Sequence, residues 1–196
     1  MMITKEQLNL AGWLSITDAI FAIPSIAMAW FLDTIEGTGA KLSQAILTLV
    51  SLGLFLYIIS SLKKLLNSRF QFHEANIFIS LLIWGNAVLA AVSLLSLGSG
   101  GFEWAMSALS LIAFIVFGIL SITFATRLLR LSSSLYGFLK PFCYITIVSG
   151  ICFITVFLAP VGIIAGAVTD VILGIIFFRA ADQPLPIEEI LSTPIE

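Results

Sequence analysis

Two aspartates are the residues of this chain best suited to chemistry, because each lies deep in apolar sequence. Asp18 lies within the segment Ala11–Leu32, and Asp170 lies within a second apolar segment near the C-terminus. An ionised carboxylate in hydrocarbon is costly unless it is paired, hydrated or protonated. We therefore expect both side chains to face the protein interior or a water-filled cavity.

The two aspartates also share a local sequence. The run TDAIFAI, which begins at Thr17, returns in altered form as TDVILGI, which begins at Thr169. Two carboxyl groups that lie close together tend to share a proton and to titrate as a pair, and such pairs relay protons or cations in membranes. We therefore predict a proton or small-cation site formed by Asp18, Asp170, Asn86, Thr17 and Thr169. The alternative is that both aspartates hydrogen-bond across helices and only fix the packing.

Small residues accompany each acid at helical spacing. In the first segment they recur every three or four residues, and in the last segment glycines stand four and eight residues before Asp170 and four after it. A face of small side chains allows a second helix to approach closely. We predict helix-packing positions at Gly162, Gly166, Gly174, Ala22 and Ser25, and we expect a bulky residue at Gly166 to force two helices apart.

The composition is that of a membrane protein. The chain has 196 residues, of which 60 % are hydrophobic and 10 % are charged, whereas soluble domains have about 25 % charged residues. The net charge is −2, and the absence of a basic stripe in the sequence argues against a nucleic-acid partner. The chain has one histidine and no cluster of ligand residues, so we expect neither a metal site nor a cofactor.

The apolar segments predict an all-α, polytopic membrane protein with six transmembrane helices in one domain, residues 1–179, followed by an acidic, proline-containing tail, residues 180–196. The stretch Pro141–Phe178 would be about 57 Å long as one helix, against about 30 Å of hydrocarbon. We therefore expect it to fold back at Ala159–Gly162. The predicted spans are 11–32, 42–62, 76–97, 105–125, 142–158 and 161–178.

Basic residues set the expected orientation. All lysines and arginines except Lys41 fall in the segments that would share one side with both termini. The positive-inside rule then places both termini in the cytoplasm, and we expect the protein in the cytoplasmic (inner) membrane of a bacterium. We predict contacts with lipid headgroups by Lys63, Lys64, Arg69, Arg127 and Arg130; solvated cytoplasmic loops are the alternative.

Three local features add detail. Thr4 and Gln7 fit a capping box at the start of the first helix. Trp84 lies far from either end of its span, so we expect it to pack inside the bundle. Basic–apolar helix exits recur 64 positions apart, at Lys63 and at Arg127, a spacing that three tandem helical hairpins would produce.

The segment Thr17–Ile23 resembles the Ser-Asp-x-x-Phe-Ala-Ile run in the first helix of the lysosomal-type potassium channel family, whose bacterial members have six spans. The likeness covers seven residues of 196. Ile16 and Thr17 stand where the family has Phe-Ser, the family's upstream arginine is missing, and the second span lacks its Asn-His-His pattern. The resemblance implies that a cation channel belongs among the candidate functions.

Two classes of function follow. The first is a small proton- or cation-coupled transporter or channel-like protein that uses the aspartate pair. The second is a non-catalytic scaffold or assembly protein, in which the small-residue faces mediate packing or formation of a homo-oligomer. We expect no enzymatic activity, because the Gly-x-Gly-Asp motif of intramembrane aspartyl proteases is absent from the sequence and one histidine offers no nucleophile–base pair.

Overall fold

A computed structural model of the chain describes residues 3–33, 37–97, 103–131 and 135–183, and every regular element in these ranges is a helix. The prediction of an all-α protein is confirmed. The helices are α1 (Lys5–Asp33), α2 (Thr38–Arg69), α3 (Asn76–Ser96), α4 (Glu103–Leu128), the 3-10 turn η1 (Leu135–Gly137), α5 (Leu139–Ile154) and α6 (Ala159–Asp182).

Four helical segments of the described chain are long and apolar enough to cross a membrane: Thr38–Arg69, Asn76–Ser96, Ala108–Leu128 and Ala159–Asp182. The chain is thus an integral membrane protein. Helix α5 is also apolar but has only 16 residues, which corresponds to about 24 Å of helix. The capping box at the start of α1 is confirmed, since Thr4 and Gln7 exchange backbone-to-side-chain hydrogen bonds of 3.3 Å each.

The fold-back between the last two helices lies earlier than the sequence suggested. Helix α5 ends at Ile154 and α6 already begins at Ala159, so the turn occupies residues 155–158, where Val156 has a positive φ of 53°. Pro160 lies in the first turn of α6. A proline is tolerated there because the first amide groups of a helix have no intrahelical acceptor.

The C-terminal helix extends past the expected end of the domain. Helix α6 continues to Asp182, and Ala180 and Ala181 are buried against the rest of the protein. The remainder of the predicted acidic tail, residues 184–196, lies outside the described residues, as do the predicted turns at residues 98–101 and 132–134.

The six helices form a closed ring. Each helix packs on the helices before and after it in the chain, and α6 packs extensively on α1. Within the described residues, backbone contacts between non-neighbouring helices are absent. The ring therefore has an interior that all six helices can line, and α1 and α6, which carry the two aspartates, are direct neighbours.

Glycines allow the closest helix contacts. A Cβ atom at Gly118 of α4 would lie 2.6 Å from the carbonyl oxygen of Gly150 on α5, and a Cβ at Gly150 would lie 2.8 Å from the carbonyl oxygen of Gly118. The same applies where α1 meets α6, since a Cβ at Gly174 would lie 3.1 Å from the carbonyl oxygen of Gly12. Any side chain at Gly118 or Gly150 would force the two backbones apart.

The tightest core lies at one end of the ring. We call it the terminal end, because α1 begins and α6 ends there, and we call the opposite end the distal end. Near the terminal end each helix contributes a side chain that is almost completely buried. We call this layer the apolar plug; it consists of Leu8, Leu66, Ile79, Leu128, Leu135, Cys143 and Phe177.

The outer surface of the ring is apolar along every helix. Exposed large side chains include Ile20 on α1, Leu49 on α2, Val116 on α4 and Ile164 on α6. Trp84 belongs to this surface with 71 % of its side chain exposed, so the expectation that it packs inside the bundle is wrong. In a membrane this surface faces lipid, which solvates an indole as well as a protein core does.

Candidate functional site

A cavity of about 310 Å³ lies inside the ring, and all six helices contribute to its wall. Its polar atoms come from two carboxyl groups, one amide and several hydroxyl groups. The acids are Asp18 of α1 and Asp170 of α6, and the amide is Asn86 of α3. Four of the five residues that the sequence singled out for an ion site thus line one space, because Thr169 borders it as well.

The packing of α1 on α6 determines the relative height of the two acids. Gly12 lies against Phe178 and Ile16 against Gly174, so residue numbers change in opposite directions along the two helices, which are antiparallel. If this pairing continues along the two helices, Asp170 lies level with residue 20 of α1. Asp18 is two residues away from that position, so the two acids are offset by about 3 Å along the helix axis. The two carboxyl groups therefore border one cavity at nearly the same height.

The aspartates have no basic partner among the residues that the structure describes. Both side chains are half-buried, and within the described ranges neither carboxylate takes part in a hydrogen bond or an ion pair. No lysine or arginine of the described chain lines the central cavity. Within the same residues the two acids form no hydrogen-bonding link between helices. A carboxylate in such surroundings requires a proton, water or a cation.

The two threonines differ in position. Thr169 lines the cavity beside Asp170, and its hydroxyl donates to the carbonyl oxygen of Ala165 at 3.0 Å. Its oxygen keeps lone pairs that can accept a hydrogen bond. Thr17 is half-buried but does not line the cavity. The repeated Thr-Asp pair therefore has one threonine at the cavity and one outside it.

Sequence analysis did not identify three hydroxyl residues of the wall. Ser121 of α4 and Thr146 and Ser149 of α5 line the cavity. The hydroxyl of Ser149 donates to the carbonyl oxygen of Gly162 at 2.8 Å and links α5 to α6. The only available signal was a polar residue in an apolar helix, and the chain has many serines and threonines of that kind, which pack or face lipid.

Ser15 is a further buried polar group on the face of α1 that carries Asp18. It lies three residues, or about one turn, before Asp18 and is completely buried. Its hydroxyl has no hydrogen-bond partner in the part of the chain that the structure describes. A buried hydroxyl without a partner is unusual and extends the polar region next to the acids toward the terminal end.

The predicted packing residues divide between contacts and cavity. Gly162 and Gly174 have neighbouring atoms within 3.0 Å of an ideal Cβ position, so they permit close helix contact. At Gly166 the nearest such atom is the Ser149 hydroxyl at 3.9 Å, and Gly166 lines the cavity. The expectation that Gly166 is a close-packing position is therefore wrong, because its open side faces the hollow of the ring.

Two small residues of α1 border open space. Ala22 lines the central cavity, and Ser25 lines a second cavity of about 430 Å³ between α1, α2 and α3. The second cavity shares Asp18, Asn86 and Phe55 with the first. The small-residue face of α1 therefore borders open space as well as a neighbouring helix.

No protein-family model, curated protein or solved structure matches the chain. The case for a function therefore rests on the geometry of the site.

The predicted headgroup residues occupy varied positions near the terminal end. Lys63 donates to the Ser80 hydroxyl at 3.0 Å, and Arg69 donates to the Tyr136 hydroxyl at 3.2 Å and to the Gln183 carbonyl oxygen at 3.3 Å. These two basic groups thus tie helix ends together. The others are exposed or half-buried, namely Lys64, Arg127 and Arg130.

The polar groups of the central cavity suit a narrow range of ligands. Two close carboxylates and an amide oxygen are hard oxygen donors, which suit protons and small cations. The described residues contain no group of three histidine, cysteine or acidic side chains placed to hold a metal ion. The cavity therefore offers two carboxyl groups inside an apolar shell.

Proposed function

We propose that the protein is a small transporter or channel-like protein that binds a proton or a small cation between Asp18 and Asp170. In this proposal all six helices cross the membrane, both termini are cytoplasmic, and the membrane is the bacterial cytoplasmic membrane. The observation that supports it best is that two unpaired acids and Asn86 line one cavity inside a closed ring of helices.

A shared proton or a bound cation would offset the repulsion between the two carboxylates. Neutralising one acid removes most of the charge, and a proton held between two carboxyl oxygens forms a short, strong hydrogen bond. The Asn86 amide can accept or donate a hydrogen bond from the opposite side of the site. A site that is occupied in one state and vacated in another is the minimum that transport requires.

The scaffold alternative has weaker support. Its premise is that small-residue faces are free to contact another copy or a partner. The glycines with the tightest contacts, at positions 12, 118, 150, 162 and 174, already meet atoms of the same chain. Any homo-oligomer would therefore form through other surfaces.

The proposal is tested by neutralising each acid in protein reconstituted into proteoliposomes. Asp18→Asn and Asp170→Asn keep the side-chain shape and remove the titrating group. Asp182→Asn on α6 and Glu6→Gln on α1 are matched controls, because both positions are exposed near the terminal end. We expect a pH-sensitive dye or a cation tracer to report loss of flux for the first pair and unchanged flux for the controls.

A single result would refute this function. If Asp18→Asn and Asp170→Asn fold normally and carry flux at the rate of the unaltered protein, for protons and for each alkali cation tested, the acids do not serve transport. Monodispersity on size exclusion and an unchanged helical circular-dichroism spectrum establish that the variants are folded.

A further inference from the structure

We propose that the ion reaches the acid pair from the distal end of the ring, through a hydroxyl-lined passage between α1, α2 and α3, while the apolar plug closes the terminal end. This inference rests on the proposed function and adds the direction of access. The passage is the second cavity, and its hydroxyl residues are Ser25, Thr48, Ser51 and Ser93.

The passage begins at the acid site. Asp18, Phe55 and Asn86 line both the central cavity and the second cavity. An ion at the acid pair would therefore be at the inner end of the passage. The Phe55 ring lies at this junction and also meets the Phe117 ring across the interior, with the ring centroids 6.2 Å apart.

The direction of the passage follows from helix positions. Ser25 lies seven residues after Asp18 on α1, and Ser93 lies seven residues after Asn86 on α3. Thr48 lies seven residues before Phe55 on α2, which is antiparallel to both. Each interval corresponds to about 10 Å of rise, and all three lead away from the terminal end. The passage thus runs along the helices toward the distal end.

The lining favours cations over anions. The Thr48 hydroxyl donates to the Gln44 carbonyl oxygen and the Ser25 hydroxyl donates to the Ala22 carbonyl oxygen, both at 2.9 Å. With their protons engaged, these hydroxyl oxygens present lone pairs to the passage. No basic side chain of the described residues lines it, and Asp18 at its inner end attracts positive charge.

Toward the terminal end, described residues of the wall are apolar and buried. Leu62, Phe124, Phe142 and Leu173 line the central cavity on the terminal side, and each is at most 4 % exposed. The apolar plug lies beyond them, with a member from every helix. A bare ion does not cross such a layer without water. Among the described residues, the hollow of the ring therefore continues toward the distal end and is bounded by apolar side chains toward the terminal end.

Thiol labelling in vesicles tests the direction of access without any transport assay. The natural thiols, Cys143 and Cys152, are buried and are replaced by alanine. Single cysteines are then introduced at Thr48, Ser51 and Ser93 in the passage and at Ser121 in the central cavity. Ile46, which is 54 % exposed on the outer surface of α2, is the matched control for Thr48. Cysteines at Lys41 and Glu74, both exposed, mark the distal and terminal sides.

The probe is a membrane-impermeant trimethylammonium methanethiosulfonate. We expect Thr48→Cys, Ser51→Cys and Ser93→Cys to react from the side marked by Lys41→Cys, at least about tenfold faster than Ile46→Cys, because only a hydrated thiol forms the reactive thiolate. We expect Ser121→Cys to react from that side and to be protected from the side marked by Glu74→Cys.

Three results would overturn the inference. The passage would be a dry space if its three cysteines, at positions 48, 51 and 93, reacted no faster than Ile46→Cys. It would open toward lipid if only a lipid-soluble maleimide labelled these cysteines. Labelling of Ser121→Cys from the terminal side would show that the plug does not close. A labelled passage together with unchanged flux in Asp18→Asn would refute the proposed function alone.

Discussion

At the scale of single residues, the surroundings of the two aspartates and of Gly166 determine their roles. Asp18 and Asp170 lie in an apolar ring without a basic partner among the described residues, so their charge must be balanced by something that enters the cavity. Gly166, on the same helix as Asp170, has open space where a side chain would stand. Its absent side chain leaves volume beside the acids.

Filling this volume should block the site without unfolding the protein. We expect Gly166→Leu to reduce flux strongly, because the new side chain projects into the cavity beside Asp170, and to leave the thermal unfolding temperature nearly unchanged. The matched control is Gly53→Leu, since Gly53 has no atom within 4 Å of an ideal Cβ position and is exposed on α2. Full flux in Gly166→Leu would show that the cavity is not on the transport route.

At the scale of helices, the crossing of α4 and α5 is set by two glycines that face each other. The Gly118 and Gly150 backbones approach so closely that a Cβ atom on either residue would lie less than 3.0 Å from the carbonyl oxygen of the other. The Phe114–Phe153 and Phe124–Phe142 ring pairs flank this crossing on its two sides, with ring centroids 6.0 Å and 6.5 Å apart. The crossing thus fixes the register of one third of the ring.

Adding a single methyl group at this crossing should destabilise the protein. We expect Gly118→Ala and Gly150→Ala each to lower the free energy of unfolding by about 1–3 kcal/mol, the usual cost of overpacking. Gly85→Ala is the control, because nothing lies within 4 Å of its ideal Cβ and alanine favours a helix by up to about 1 kcal/mol. Thermal unfolding in detergent measures the difference, and equal stability of the variants at 118, 150 and 85 would contradict the close crossing.

At the scale of the whole molecule, ring closure joins the first helix to the last. This closure makes α1 and α6 neighbours and gives the acid pair a common cavity. The ring is also asymmetric along its axis, with the apolar plug at the terminal end and the hydroxyl-lined passage toward the distal end. Arg69, Tyr136 and Gln183 link α2, η1 and the end of α6 at the terminal end.

The proposed six-span arrangement predicts which loops share a side. Lys41 precedes most of α2 and Glu74 lies between α2 and α3, so one crossing of the membrane separates them. We expect an impermeant maleimide to label Lys41→Cys only from outside the cell and Glu74→Cys only after the membrane is opened. Labelling of both positions in intact cells would refute the orientation and the crossing of α2.

The sequence by itself determined the features that depend on local composition. Apolar runs of sufficient length predict membrane helices wherever they occur, Thr4 and Gln7 predict a capping box, and the cost of a charge in lipid requires both acids to face inward. Local rules did not determine the end of α5, where the choice between continuing a helix and turning at residues 155–158 depends on the packing of α6 against α5.

Only the tertiary structure decided which faces meet. Trp84 faces outward, although the sequence suggested that its side chain packs inside the bundle. Gly166 faces the cavity, although the sequence suggested a tight contact between helices. Lipid is as apolar as a protein core, so hydrophobic periodicity does not distinguish the two sides of a membrane helix. The pairing of Gly118 with Gly150, the closure of α6 on α1 and the passage between three helices all depend on partners distant in sequence, which is why only the assembled ring reveals them.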